Sequence, residues 1–132
     1  MNFSSAPRVF WFRAILTLVI ATLGHVSSTS VFASETEVWS VIGQQGLVHF
    51  VLVPSEEATT LAAYEKQISR LCEPERTCFL NFYTNSTGAA LVVPLPDAVA
   101  NEATATYRRS MKNGIQVFLW SCRLNVPGRE CF

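Results

Sequence analysis

After Ala33, apolar residues recur with two periods, two and about 3.6 residues, and each block predicts one element. Glu35–Ile42, with Val38, Trp39 and Val41, reads as a strand, and Gly43-Gln44-Gln45-Gly46 as a turn. Leu47–Val53 is nearly all β-branched, aromatic or aliphatic, a run suited to a central strand covered on both faces. Pro54 ends it. Leu61, Tyr64, Ile68 and Leu71 then mark one face of a helix over 56–72. Ser55 is placed to cap that helix, with Glu56 and Glu57 in its first turn and Lys66 and Arg70 near its end, as the helix dipole favours.

Cys78–Thr84 is the next strand and Asn85-Ser86-Thr87-Gly88 a turn. Ala89–Val93 reads as a short strand that Pro94 and Pro96 confine to an edge. Asp97 is placed to cap a second helix over 98–112, in which Val99, Ala103, Tyr107 and Met111 recur every four residues, and Asn113-Gly114 stops it. Ile115–Cys122 is the last strand. The expected class is α+β: two helices packed on one face of a mostly antiparallel sheet of four to five strands. Without its first strand the order is βαββαβ, the ferredoxin-like plan. In that plan the strand at 47–53 already has two neighbours, so a hairpin from 37–42 competes for one edge.

The first 33 residues follow different rules. Arg8 and Arg13 are the only charges there, and a run of roughly ten apolar residues from Ala14 to Leu23 follows them. A Ser/Thr stretch then leads to Val31-Phe32-Ala33. A basic start, a short apolar core and small residues at the cut form a secretory signal. The run is shorter than the ~20 residues a spanning helix needs; an uncleaved anchor requires extending it through Val26. Cleavage after Ala33, or alternatively nearer Ser28, leaves one domain over 34–132, secreted or periplasmic. No cysteine near the apolar run offers a site for a bacterial lipid anchor.

All four cysteines, Cys72, Cys78, Cys122 and Cys131, lie in the exported part. An even count in an exported chain of this size reads as disulfides. Cys72–Cys78 and Cys122–Cys131 are the favoured pairs, because each flanks a turn-like stretch that lets the chain reverse. Loops this short stabilise by about 2–3 kcal/mol each. Neither spacing suits a zinc site or a two-residue redox pair, and no metal or cofactor is implied.

Residues 34–132 carry eight basic and ten acidic side chains. That balance gives no reason to expect nucleic acid or, after signal cleavage, a membrane surface as partner. No nucleophile elbow, metalloprotease helix or phosphate loop is present. The exported part has a single histidine, His49, inside its most apolar strand, and a single aspartate, Asp97. The glutamates fall mainly at helix starts and loops and read as solvated. Arg108-Arg109 reads as the solvated side of the second helix, and Asn85-Ser86-Thr87 matches a glycosylation sequon.

The strand aromatics divide between two faces. Cys78, Leu80 and Phe82 oppose Phe79, Asn81 and Tyr83, while Phe118, Trp120 and Cys122 oppose Val117, Leu119 and Ser121. One face meets the helices; the other, carrying Tyr83, Asn81 and a tryptophan, is a candidate binding or dimer surface. The candidate binding residues are His49, Tyr83, Trp120 and Arg123. The expected function is a small exported, non-catalytic binding module for a protein or small-molecule partner. The alternatives are an envelope accessory protein that homodimerises through the uncovered face, and a small secreted enzyme using His49.

Overall fold

The computed structural model describes residues 37–132, so the expected signal segment lies outside the described residues. Five strands form one sheet: β1 (Val41–Gln45), β2 (Val48–Leu52), β3 (Cys78–Tyr83), β4 (Ala103–Ser110) and β5 (Ile115–Trp120). Their spatial order is the sequence order. All neighbours are antiparallel except β2 and β3, which run parallel. A parallel pair needs a long crossover. Helix α1 (Leu61–Leu71) supplies it, after a 3-10 turn at Ser55–Glu57. A second helix, α2 (Asp97–Ala100), is a single turn between β3 and β4.

The fold is therefore α+β, with a mixed rather than ferredoxin-like sheet. The helix expected over 98–112 stops at Ala100, and the chain continues as strand β4. A spacing of four fits both readings, because every fourth residue also shares one face of a strand. Ala105 and Tyr107 share the buried face of that strand, and the β-branched Thr104 and Thr106 suit the extended form. Gly114, expected as a helix stop, instead takes φ +64° in the turn between β4 and β5. Without a second crossover helix, successive strands lie side by side. β2 thus keeps a free edge, and the hairpin from β1 takes it. Ala89–Val93 forms no strand, and β1 begins at Val41, with no strand over 37–40; Glu35 lies outside the described residues.

The core lies between α1 and one sheet face. Trp39, Val51, Val53, Leu80, Phe82, Ala105, Tyr107 and Trp120 are buried there around Tyr64. The Tyr64 ring makes edge-on contacts with Trp39, Phe82, Phe118 and Trp120 at centroid distances of 4.9, 5.0, 5.4 and 5.0 Å. Its hydroxyl donates to Ala58 O at 2.9 Å and lies 2.8 Å from the Thr104 hydroxyl. A bulge opposite Phe82–Tyr83 makes Thr104 the extra residue of β4, which lets it meet Tyr64 while Ala105 is also buried. Burial pushes the Tyr64 phenol up to about 12.

Gln67, also on α1, is fully buried. Its Oε1 accepts from Trp39 N at 3.0 Å, and its Nε2 donates to Glu37 O at 2.8 Å. The amide thus pairs with the incoming chain as a neighbouring strand would. Trp39 completes the tie by donating Nε1–H to Glu57 Oε2 at 3.0 Å.

One helix cannot cover this sheet. Five strands span ~19 Å between the outer axes, whereas a helix is ~10 Å wide. The C-terminal tail covers part of what remains: Leu124 and Val126 pack on the core. The Cys122–Cys131 disulfide closes this tail, with Cα atoms 5.0 Å apart, and Phe132 N donates to Trp120 O at 2.9 Å. The Cys72–Cys78 disulfide ties the end of α1 to the start of β3, with Cα atoms 5.7 Å apart. Both expected pairings are present. Arg109 holds the first loop from β4, donating Nε–H to Arg76 O at 2.9 Å and Nη2–H to Glu73 O at 2.6 Å.

Replacing Gln67 by Leu keeps the volume but leaves Trp39 N–H and Glu37 O unpaired. We expect a loss of about 1–3 kcal/mol in urea unfolding. An unchanged midpoint would show that this amide does not anchor the N-terminal segment.

Candidate functional site

The opposite sheet face is not covered by α1. Alternation places Val48, Phe50 and Leu52 of β2 there, with Phe79, Asn81 and Tyr83 of β3, Thr106 and Arg108 of β4, and Val117 and Leu119 of β5. Residues 84–96 form a strap that reaches β1. A side chain at Gly43 would collide with Val93 of the strap, which is why a residue without Cβ stands there. Phe50 is buried and meets Tyr83 edge-on at 6.0 Å. Phe79, Arg108, Val117 and Leu119, by contrast, are only half-buried.

Arg108 lies along the β3–β4 part of this face. Its Nη1 donates to Leu80 O at 2.8 Å and Tyr107 O at 2.9 Å, and its Nη2 donates to Asn81 Oδ1 at 2.6 Å. The guanidinium also stands 5.7 Å from the centroid of the Phe79 ring, in cation–π contact. Asn81 Nδ2 in turn donates to the Tyr83 hydroxyl at 3.1 Å. Side chains from two adjacent strands thus form one polar row between apolar flanks. Among the described residues no carboxylate lies within ion-pair distance of Arg108; the surface pair Arg76–Glu73 is elsewhere. Burial lowers the Arg108 pKa, while the neighbouring Tyr83 opposes that shift.

The strap is anchored beside this row. Glu102 accepts from the Ser86 hydroxyl at 2.6 Å, from Ser86 N at 2.8 Å and from the Thr84 hydroxyl at 2.8 Å. The Ser86 hydroxyl first, and then the Ser86 N–H, hold the carboxyl at about 2, below its ordinary 4.5. Asn85 braces the same turn: its Oδ1 accepts from Ala89 N and its Nδ2 donates to Ala89 O, both at 2.9 Å. The sequon asparagine therefore has a folding role of its own.

The sequence-based site residues are not brought together. Tyr83 belongs to the face opposite α1. Trp120 is buried in the helix-side core, so that open face carries no tryptophan. His49 shares the helix side with Val51 and is half-buried. Arg123 is exposed at the C-terminal 3-10 turn and donates to Ala103 O at 3.3 Å. Arg108 and Arg109, expected on the solvated side of a helix, lie on β4. The signal for the strand is the β-branched pair Thr104 and Thr106, which favours extended backbone over helix.

On the helix side, two open cavities of about 360 and 390 Å³ share Leu61, Glu65 and Phe118. They mark the gap between α1 and β5, and their rims mix Glu65, Glu130, Arg109 and Arg129. Neither includes His49. Among the described residues no cluster of three His, Cys, Asp or Glu side chains could hold a metal ion.

Comparison with protein-family models, curated proteins and solved structures found no match.

The Glu102 shift sets a pH dependence. A carboxyl whose pKa falls on folding stabilises the native state above its unfolded value, and that contribution disappears as pH drops. We expect the wild type to lose stability between pH 4.5 and 2, and Glu102→Gln to flatten this window and lower the midpoint at pH 7. Urea midpoints measured across pH for both proteins check it; superimposable profiles would remove Glu102 from the account.

Proposed function

We propose that this chain is a small exported, non-catalytic binding module whose working surface is the sheet face opposite α1. The observation that carries this reading is the Arg108–Asn81–Tyr83 row, held in place by hydrogen bonds and flanked by half-buried Phe79, Val117 and Leu119. Aromatic residues and arginine surrounded by apolar area are the usual anchors of protein interfaces. The partner is a protein that presents negative charge to Arg108. A second copy of this chain suits the face less well, because two-fold pairing centred there sets two guanidinium groups against each other.

Export is supported by the N-terminal pattern and by two disulfides closed within the described domain. No helix among the described residues is long and apolar enough to cross a membrane. Gln67 and Trp39 tie the fold down from Glu37 onward, just beyond the expected cleavage position. In a bacterial host, the full chain is expected to yield periplasmic protein that begins at Ser34 and has no alkylatable thiol. Cytosolic protein with an intact N-terminus and four free thiols would overturn export.

Binding is tested with a photo-crosslinking residue at Val117, and at Glu65 as the helix-side control, in cells that natively make the protein. The expected result is a discrete adduct from position 117 that Arg108→Glu abolishes and that position 65 does not give. No adduct, an adduct from position 65 alone, or one at twice the chain mass would overturn the reading.

A further inference from the structure

Of the five N–H donors on the Arg108 guanidinium, three are committed: both on Nη1 to Leu80 O and Tyr107 O, and one on Nη2 to Asn81 Oδ1. Nε–H and the second Nη2–H have no acceptor among the described residues. Nε and Nη2 share the edge of a guanidinium that receives a carboxylate side-on, through two parallel hydrogen bonds. The three committed bonds and the Phe79 ring hold the group in place, so little side-chain freedom remains to be lost on binding. The partly buried charge has no anionic partner within the described chain, and its surroundings strengthen an ionic hydrogen bond relative to open water. Phe79, Val117 and Leu119 beside it offer apolar contact to whatever flanks the incoming anion.

We propose that Arg108 is the recognition residue for an acidic side chain, Asp or Glu, next to an apolar residue in a segment of the partner protein. This assignment rests on the binding-module reading and names the chemistry of its partner. Asn81 acts as a positioning residue: it orients the guanidinium through Oδ1 and is itself oriented by Tyr83.

The test is an NMR titration of the oxidised domain with N-acetyl-Asp-Phe-amide, and with N-acetyl-Asn-Phe-amide as the isosteric neutral control. The aspartyl peptide is expected to shift the Arg108 Nε–H and Asn81 side-chain resonances, with at least a tenfold weaker response to the asparaginyl peptide. Arg108→Gln should abolish the difference between the peptides while the remaining spectrum stays folded. Arg108→Lys, which keeps the charge but not the two-donor edge, should weaken binding of the aspartyl peptide. Asn81→Ala should lower affinity while keeping the preference for Asp over Asn. Equal responses to both peptides, shifts confined to the groove at Leu61 and Phe118, or no response overturns the assignment. If the Val117 crosslink persists in that case, the face still binds a partner and only the carboxylate chemistry fails.

Discussion

The structure depends on a mismatch of size: a single crossover helix has to serve a five-stranded sheet. Helix α1 is eleven residues long, about 16 Å, and it is the only helix of more than one turn among the described residues. It joins β2 to β3 in parallel and sets Tyr64 at the centre of the core, where four aromatic rings meet one phenol. What the helix cannot reach is left to other devices. The tail closed by Cys122–Cys131 packs Leu124 and Val126 on the helix side, and the N-terminal segment inserts Trp39. On the far face the strap brings Val93 against Gly43.

The disulfides follow from the same constraint. A domain of about 100 residues buries a smaller share of its surface than a larger one, and here one helix supplies most of the helix-side cover. Each bridge closes a short loop at an end of a major element: the exit of α1 into β3, and the exit of β5 into the tail. The tandem arginines show how alternation divides work between two faces. Arg109 clamps the first disulfide loop through backbone carbonyls, whereas its neighbour Arg108 lies along the face opposite α1. Adjacent residues of one charge thus have unrelated roles, because a strand points successive side chains in opposite directions.

The proposed binding role is placed on the polar row of the far face and not at His49. The histidine stands in an apolar strand on the helix side, and neither cavity beside α1 includes it. The polar row on the opposite face is held by hydrogen bonds to the backbone and to side chains of the adjacent strand. Such preorganisation reduces the ordering cost of association.

Local chemistry sufficed for some elements. The Cys72–Cys78 and Cys122–Cys131 pairs follow from short spacings around turns, β2 from its apolar run, and the body of α1 from Leu61, Tyr64, Ile68 and Leu71. The two-face division of β3 and β5 follows from period two alone. Local chemistry failed at 98–112, where a four-residue repeat fits a helix and a strand equally well. The pairing of β4 with β3 and β5 settles that choice, and it depends on residues distant in sequence. The same step moved Arg108 from a solvated helix surface to the open sheet face and put Trp120 in the core. The sequence alone determined which residues alternate and which sulfurs can meet. Only the tertiary structure decided which alternating face the helix covers, because that depends on which strands become neighbours and on how far one helix can reach.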